Sequence, residues 1–324
     1  MKLPNFDDVL SAAEQIEGYA VKTPFLKAQD LSEKLDAEIY IKPECLQRVG
    51  AFKFRGAFNR LSRLNEEERK RGVVAYSSGN HAQGVAASAQ ILDMNAVIVM
   101  PEDSPKMKLQ NTKDYGAEVI TYNRNTESRE KIADKISEER GCIVVPSFED
   151  HYIISGQGTA GLEAVKQAEE LGISLDLFMT PVGGGGLISG CALAVKGLSP
   201  DAEIYGVEPE GFDDVKRSLE SGKIEHNARP SGSICDAILT LHPEPMTHKI
   251  MSDNLSGVLT VTDDEVLVAM KYAWEKLKLV VEPGASVALA AVLHGKIDVK
   301  GKKLCIVLSG GNVDEETFVK ALNS

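Results

Sequence analysis

One lysine sits in unusual company. In "GAFKFRGAF" (residues 50–58), Lys53 lies between Phe52 and Phe54, shortly after Gly50 and two residues before Arg55. Phe54, Phe58 and Leu61 recur at i, i+4 and i+7, which predicts an amphipathic helix starting here. A solvent-exposed lysine is the ordinary use of such a position. A cation in a first helical turn, however, opposes the helix dipole, and apolar neighbours disfavour its charged form. Both effects lower the pKa of the amine, and a neutral amine is a nucleophile.

A second chemical feature is "TPVGGGGLISG" (Thr180 to Gly190), where a β-rich run ends at Val182, four glycines follow, and a helical pattern opens at Leu187. Consecutive inward N–H groups at a helix start make a cradle for a phosphate. A flexible strand-to-helix turn would need only one glycine. No Lys-Ser/Thr follows, which excludes the nucleoside-triphosphate loop. "YSSGNHAQG" (Tyr76 to Gly84) puts Ser77, Ser78, Asn80 and His81 at a strand end opening onto a helix, where a carboxylate could bind. "VLSGGNVD" (Val307 to Asp314) puts Ser309 at the end of a late strand. Either turn alone reads as a capped turn. Together they offer a phosphate loop, a carboxylate loop, a hydroxyl and a lysine of lowered pKa. "GQGTAG" (Gly156 to Gly161) matches the dinucleotide pattern GxGxxG, but the preceding strand ends near Phe148 and Asp176 opens the next strand instead of closing it.

The elements that must position these residues alternate in type. "GVVAYSS", "NAVIVMP", "EVITY" and "CIVVPSF" read as strands separated by helices, a βαβαβαβ series over residues 72–148. After an irregular "EDHYIISGQ", a helix is expected at "GTAGLEAVKQAEELG", then strands at "LDLFMTPV", "EIYGVEP" and "KLCIVLS" with helices between them. The fold class is α/β, with two parallel-sheet units. Residues 1–65 and 149–324 form the larger and residues 66–148 the smaller, inserted one, and the cleft between them is the natural ligand site.

Bulk composition narrows the partners. The 324 residues carry a net charge of −12, with 43% hydrophobic and 26% charged residues, which argues against nucleic acid or an anionic membrane. Apolar runs such as "NAVIVM" are too short to span a bilayer, and "MKLPNFDDVL" lacks the features of a secretion signal. Five scattered cysteines with no CxxC pair read as small core residues in a reducing cytoplasm. The six histidines show no zinc-like spacing.

From "TPFLKA" to "CIVLSGGNVD" the combination strongly resembles the fold-type II pyridoxal-phosphate enzymes, in the group of serine/threonine dehydratases and serine racemase. The resemblance implies pyridoxal 5'-phosphate as cofactor, with Lys53 as its Schiff-base lysine and Phe52 packed beside its ring. Gly183, Gly184, Gly185, Gly186 and Leu187 would bind the phosphate, Asn80 the phenolic oxygen and Ser309 the pyridine nitrogen. The Ser77 to His81 turn would hold the substrate carboxylate. Metal-binding members imply a divalent cation (Mg, Ca or Mn) at Glu208, the Phe212 carbonyl and Asp214. A homodimer acting on a small amino acid is expected. Ala51 and Ala237 stand where the family often has serine and glycine. The chain ends 15 residues after Ser309, so a regulatory domain and feedback by isoleucine are not expected.

The implied reaction is dehydration of L-serine or L-threonine to a 2-keto acid and ammonia. Lys53 would remove the Cα proton, and the cofactor phosphate would protonate the leaving hydroxyl. Ser309 is a neutral partner for the pyridine nitrogen, which weakens the electron sink and favours prompt loss of a β-hydroxyl. A second reading is a serine racemase or 3-hydroxyaspartate dehydratase. There Ser78 would act on the opposite cofactor face, and Arg129 in "TESRE", otherwise a solvated helix charge, would meet a second carboxylate. A third reading, a dinucleotide-binding protein, rests on "GQGTAG" alone.

Overall fold

The computed structural model describes all residues except Met1, Ser78, Pro105 and Asn125, and the side chains of Lys106 and Met107. The roles expected of Ser78 therefore lie outside the described residues.

Among the described residues ten strands form two sheets. They are β1 (Leu26–Lys27), β2 (Glu38–Pro43), β3 (Val73–Tyr76), β4 (Ala96–Pro101), β5 (Glu118–Tyr122), β6 (Ile143–Val144), β7 (Leu177–Pro181), β8 (Glu203–Pro209), β9 (Gly257–Val261) and β10 (Lys303–Leu308). The larger sheet has the order β1-β2-β10-β7-β8-β9, and the smaller β5-β4-β3-β6. Every pairing is parallel except β1 with β2.

Strands of a parallel sheet are covered on both faces, which is why they read as continuous apolar runs. In β10, Leu304, Ile306 and Leu308 point to one side and pack with Val287 and Leu289 of the helix Pro283–Leu293. Cys305 and Val307 point to the other and pack with Ile188 and Val195 of the helix Gly186–Leu198. In the smaller sheet, Val73, Ala75 and Ile98 pack with Ala82, Val85 and Ala86 of the helix Asn80–Ile91. Val74, Val97 and Val99 pack with Ala133 and Ile136 of the helix Arg129–Arg140.

Two local expectations change. "CIVVPSF" pairs only at Ile143 and Val144, because Pro146 has no N–H to continue the ladder. The rest of that segment brings the Ser147 carbonyl to the Lys53 ammonium and the Phe148 ring against Gly184. "EDHYIISGQ" is mostly helical, since Asp150 caps a helix His151–Glu170 by accepting from the Tyr152 and Ile153 amides. "GQGTAG" therefore sits inside a helix and is no phosphate turn. Its glycines permit close helix packing: a Cβ on Gly156 would lie 2.7 Å from Gly56 Cα, and one on Gly158 would lie 2.6 Å from the Gly190 carbonyl oxygen. The strand β9 and the helices Phe6–Gln15 and Pro245–Asn254 are among the elements that were not expected.

Candidate active site

Lys53 opens the helix Lys53–Ser62, as its apolar spacing suggests. The chain just before it is tied to the end of β10. The Phe52 amide donates to the Ser309 carbonyl at 3.0 Å, and the Gly311 amide donates to the Gly50 carbonyl at 2.9 Å. The Lys53 ammonium donates to the Ser147 carbonyl at 2.7 Å and lies 5.2 Å from the Phe52 ring centroid. Desolvation pushes its pKa down to about 8, against a smaller upward pull from Glu282. Relative to an ordinary value of 10.5, that raises the neutral fraction at pH 7 by about 300-fold.

The glycine run leaves β7 at the centre of the larger sheet. Added Cβ atoms on its glycines would be crowded, with Ile238 at 3.0 Å from Gly183, Phe148 at 2.4 Å from Gly184, Met251 at 2.7 Å from Gly185 and Phe148 at 2.9 Å from Gly186. Gly185, at φ +88°, precedes the helix Gly186–Leu198, and no side chain caps that helix start. Backbone N–H groups with the positive end of a helix dipole are what a phosphate needs. Leu187 is buried in the first turn.

Across the cleft, the helix Asn80–Ile91 follows β3, and its start likewise has no side-chain cap. Asn80 is buried: its Nδ2 donates to Glu282 Oε1 at 2.5 Å and its Oδ1 accepts from Asn312 Nδ2 at 2.8 Å. His81 is buried with Nε2 3.0 Å from the Val145 carbonyl oxygen, leaving Nδ1 without a partner. Burial, then the nearby Lys53, pushes its pKa down to about 3, so the ring is neutral. The Ser77 hydroxyl accepts from the Gly79 amide at 3.2 Å. Ser309 is buried directly after β10. The carboxyl ends of β3, β6, β7 and β10, from both sheets, thus converge on one place, where open parallel sheets bind ligands.

Arg129 stands apart from this centre and is half-exposed. It pairs with Glu130 at 2.8 Å, and its guanidinium lies 5.3 Å from the ring centroid of Tyr76, the last residue of β3. Glu208, in β8, is buried and accepts from the Val215 and Lys216 amides at 3.1 and 2.9 Å. Asp214 Oδ1 accepts from Asn227 at 2.6 Å, whereas Oδ2 is buried without a partner. Burial, then the charge of Asp214, pushes Glu208 well up; burial pushes Asp214 up to about 6. Phe212 is buried between them in sequence. No cluster of three or more His, Cys, Asp or Glu able to hold a metal occurs among the described residues.

Glu282, Asn312 and Ser147 belong to this arrangement but carry no local motif of their own. The nearest signals are an acid just before a Pro-Gly helix start, for Glu282, and the Asn of the "SGGN" turn, for Asn312.

A crowded glycine turn at an uncapped helix start, a partly buried amine of lowered pKa and a neutral hydroxyl at a neighbouring strand end fit pyridoxal phosphate. The family described as pyridoxal-phosphate dependent enzyme matches residues 16–310. The chain belongs to that family. Over its whole length it is 45% identical to L-threo-3-hydroxyaspartate ammonia-lyase of Saccharomyces cerevisiae, covering 98% of that protein. It is 38% identical to L-threonine ammonia-lyase of Thermotoga maritima, over 98% of this chain and 78% of the relative. The solved structure of maize serine racemase superposes with a TM-score of 0.93 at 35% identity, over 99% of this chain and 98% of that one. The protein is thus a pyridoxal-phosphate dependent enzyme of the fold-type II architecture. This excludes the dinucleotide reading, as the helical "GQGTAG" already did. No helix among the described residues is long and apolar enough to cross a membrane.

Proposed function

We propose that this enzyme is a dehydrating ammonia-lyase that converts β-hydroxy L-amino acids to a 2-keto acid and ammonia. L-serine and L-threonine are substrates, and L-threo-3-hydroxyaspartate is the one that makes use of Arg129. The observation that carries the reading is Lys53, an amine of pKa about 8 set between the glycine run and the Ser309 turn.

When bound, pyridoxal phosphate supplies the electron sink that makes a substrate Cα–H acidic. In this reading Lys53 would hold the cofactor and, as a neutral amine, would take the Cα proton. Gly183, Gly184, Gly185, Gly186 and Leu187 would hold the phosphate, Phe52 would pack by the ring, Asn80 would serve the phenolic oxygen and Ser309 the pyridine nitrogen. A hydroxyl there would fix no positive charge on that nitrogen, which would favour elimination.

The substrate carboxylate is held by Ser77, Asn80 and the uncapped start of the helix Asn80–Ile91. His81 supports that turn through its backbone, because its neutral ring is committed to the Val145 carbonyl. Arg129, released from its exposed pair with Glu130, takes the second carboxylate of hydroxyaspartate. Ser78 is the residue we assign to the second cofactor face, with racemisation of serine as a minor reaction. A divalent cation (Mg, Ca or Mn) sits at Glu208, the Phe212 carbonyl and Asp214, supported by the orphaned Asp214 Oδ2. The larger unit is 1–65 with 149–324 and the smaller 66–148, and the enzyme is a cytoplasmic homodimer.

Keto acid and ammonia release from a panel of L-serine, L-threonine and the 3-hydroxyaspartates tests the reading. The highest kcat/KM is expected with L-threo-3-hydroxyaspartate. Activity with none of the panel would refute it.

A further inference from the structure

Glu282 immediately precedes the helix Pro283–Leu293 and is 2% exposed. A buried carboxyl with one unpaired oxygen is costly, so its setting calls for a reason. Oε1 accepts from Asn80, while Oε2 is equally buried and has no partner. The hydrogen bonds upstream run in one direction. Asn312 Nδ2 donates to the Val49 carbonyl at 2.7 Å and to Asn80 Oδ1 at 2.8 Å. Since amide orientation follows from its partners, Asn80 must turn its oxygen to Asn312 and its NH2 to Glu282. Glu282 is the accepting end of this chain, and one Asn80 hydrogen is left over.

The backbone holds the carboxyl in place. A Cβ on Gly310 would lie 2.2 Å from Glu282 Oε1 and 3.1 Å from Asn80 Nδ2. Glu282 therefore lies flat against the turn that follows Ser309. The charged groups facing it are Lys108 and Lys53, which favour its ionised form, and Asp236, which opposes it. Burial outweighs them and raises its pKa to about 7. Lys108 itself pairs with Asp236 at 2.9 Å. The same turn brings Glu282 to Lys53: the carboxyl packs on Gly310, and the preceding Ser309 carbonyl accepts at 3.0 Å from the amide of Phe52, the residue before Lys53, so the Glu282 charge favours the protonated amine.

We propose that Glu282 is a positioning residue of this active site: it fixes the orientation of the Asn80 amide and places a carboxylate charge facing the Lys53 amine. The first half rests on the cofactor role given above to Asn80; the second does not.

Two conservative variants separate the halves, with folding of each checked by thermal melting. In the cofactor-free full chain, acylation of Lys53 is followed against pH by peptide mass spectrometry. Affinity for pyridoxal phosphate is measured by fluorescence. Glu282→Gln keeps the hydrogen bond and removes the charge. It should move the Lys53 midpoint down by roughly half a unit or more, with cofactor affinity within about fivefold of wild type. Glu282→Asp keeps the charge and withdraws the acceptor. It should leave the midpoint near that of wild type and weaken cofactor binding by about tenfold.

An unmoved midpoint in Glu282→Gln, or both readouts shifting together in both variants as a general packing defect would cause, overturns the proposal. Each variant carries its own arm, so one that fails to fold leaves the other decisive. Wild-type protein that takes up no pyridoxal phosphate would sink the functional reading instead, while the acylation arm still decides the charge coupling.

Discussion

The Lys53 ammonium donates to the backbone carbonyl of Ser147, 94 residues later in the chain and beside the Phe148 ring that closes over the glycine run. A carbonyl accepts a hydrogen bond without contributing a full negative charge, so desolvation prevails and the pKa falls to about 8. The sign is simple: the amine is charged below that pH and neutral above it. Uptake of pyridoxal phosphate by cofactor-free protein should therefore speed up as pH rises through about 8, well below the 10.5 of an ordinary lysine. Lys53→Ala should fold, bind the cofactor only loosely and lose turnover. Borohydride reduction of the wild type should leave the pyridoxyl group on the Lys53 peptide, and a label on another lysine would refute the assignment.

Arg129 should act on specificity alone. Its guanidinium rests over Tyr76, one residue before the carboxylate turn, and its present partner Glu130 is half-exposed. An exposed pair of this kind is weak and easily exchanged for a substrate carboxylate. Arg129→Ala should lower kcat/KM for L-threo-3-hydroxyaspartate by about 10- to 100-fold, the scale of a lost charge-assisted hydrogen bond. L-serine, with a single carboxylate, should change by less than about threefold. Equal losses on both substrates would place Arg129 in the common machinery.

Much of this site was legible because its parts are local patterns. Strand-then-glycine runs end at the glycine cradle, Ser77 and Ser309, and the apolar spacing after Lys53 marks its helix. The parts that were not legible depend on distant partners. Glu282 meets Asn80 across 202 residues and Asn312 meets it across 232, and a short acid-Pro-Gly stretch gives no hint of either. The same local logic explains the misreadings. The stretch "EDHYIISGQ" reads as irregular because its glycine and polar residues mask the helix that the Asp150 cap starts. The proline in "CIVVPSF" should have ended that strand early.

Behind Lys53 on the same helix, Arg55 is fully buried between Glu44, at 2.7 Å, and Glu163, also at 2.7 Å. Lys42 shares Glu163 at 2.7 Å. Breaking such a cluster leaves an uncompensated buried charge, so Glu44→Ala should cost about 3–5 kcal/mol in urea unfolding. Burial pushes the Glu44 carboxyl up, but the charge and hydrogen bonds of Arg55 more than offset this and hold it below its ordinary 4.5. A depressed carboxyl stabilises the fold at all pH values above 4.5 and loses that contribution as pH falls through the folded value. In Glu44→Gln the loss of stability on acidification below pH 4.5 should be shallower than in wild type. An unchanged acid limb would mean that other carboxylates govern it.

The cation assignment is tested by subtraction. Asp214 Oδ2 is buried and unpaired, and burial, then the charge of Asp214, raises the cost of ionising Glu208. Two acids in this relation are poorly satisfied by the protein alone, and a hard divalent ion with oxygen ligands would satisfy both. Chelator should lower the melting temperature of the wild type, and magnesium, calcium or manganese should restore it. Any ion that binds only the folded chain raises stability by an amount set by its concentration over its Kd, about 2.7 kcal/mol at a hundredfold excess. Asp214→Asn and Glu208→Gln should melt at one temperature with or without chelator. Glu208 also caps the helix Asp214–Ser221 through its two amide contacts, a role that glutamine can keep in part through its carbonyl oxygen, so the variant isolates the ionic contribution. A chelator response that survives in both variants would place the cation elsewhere in the molecule.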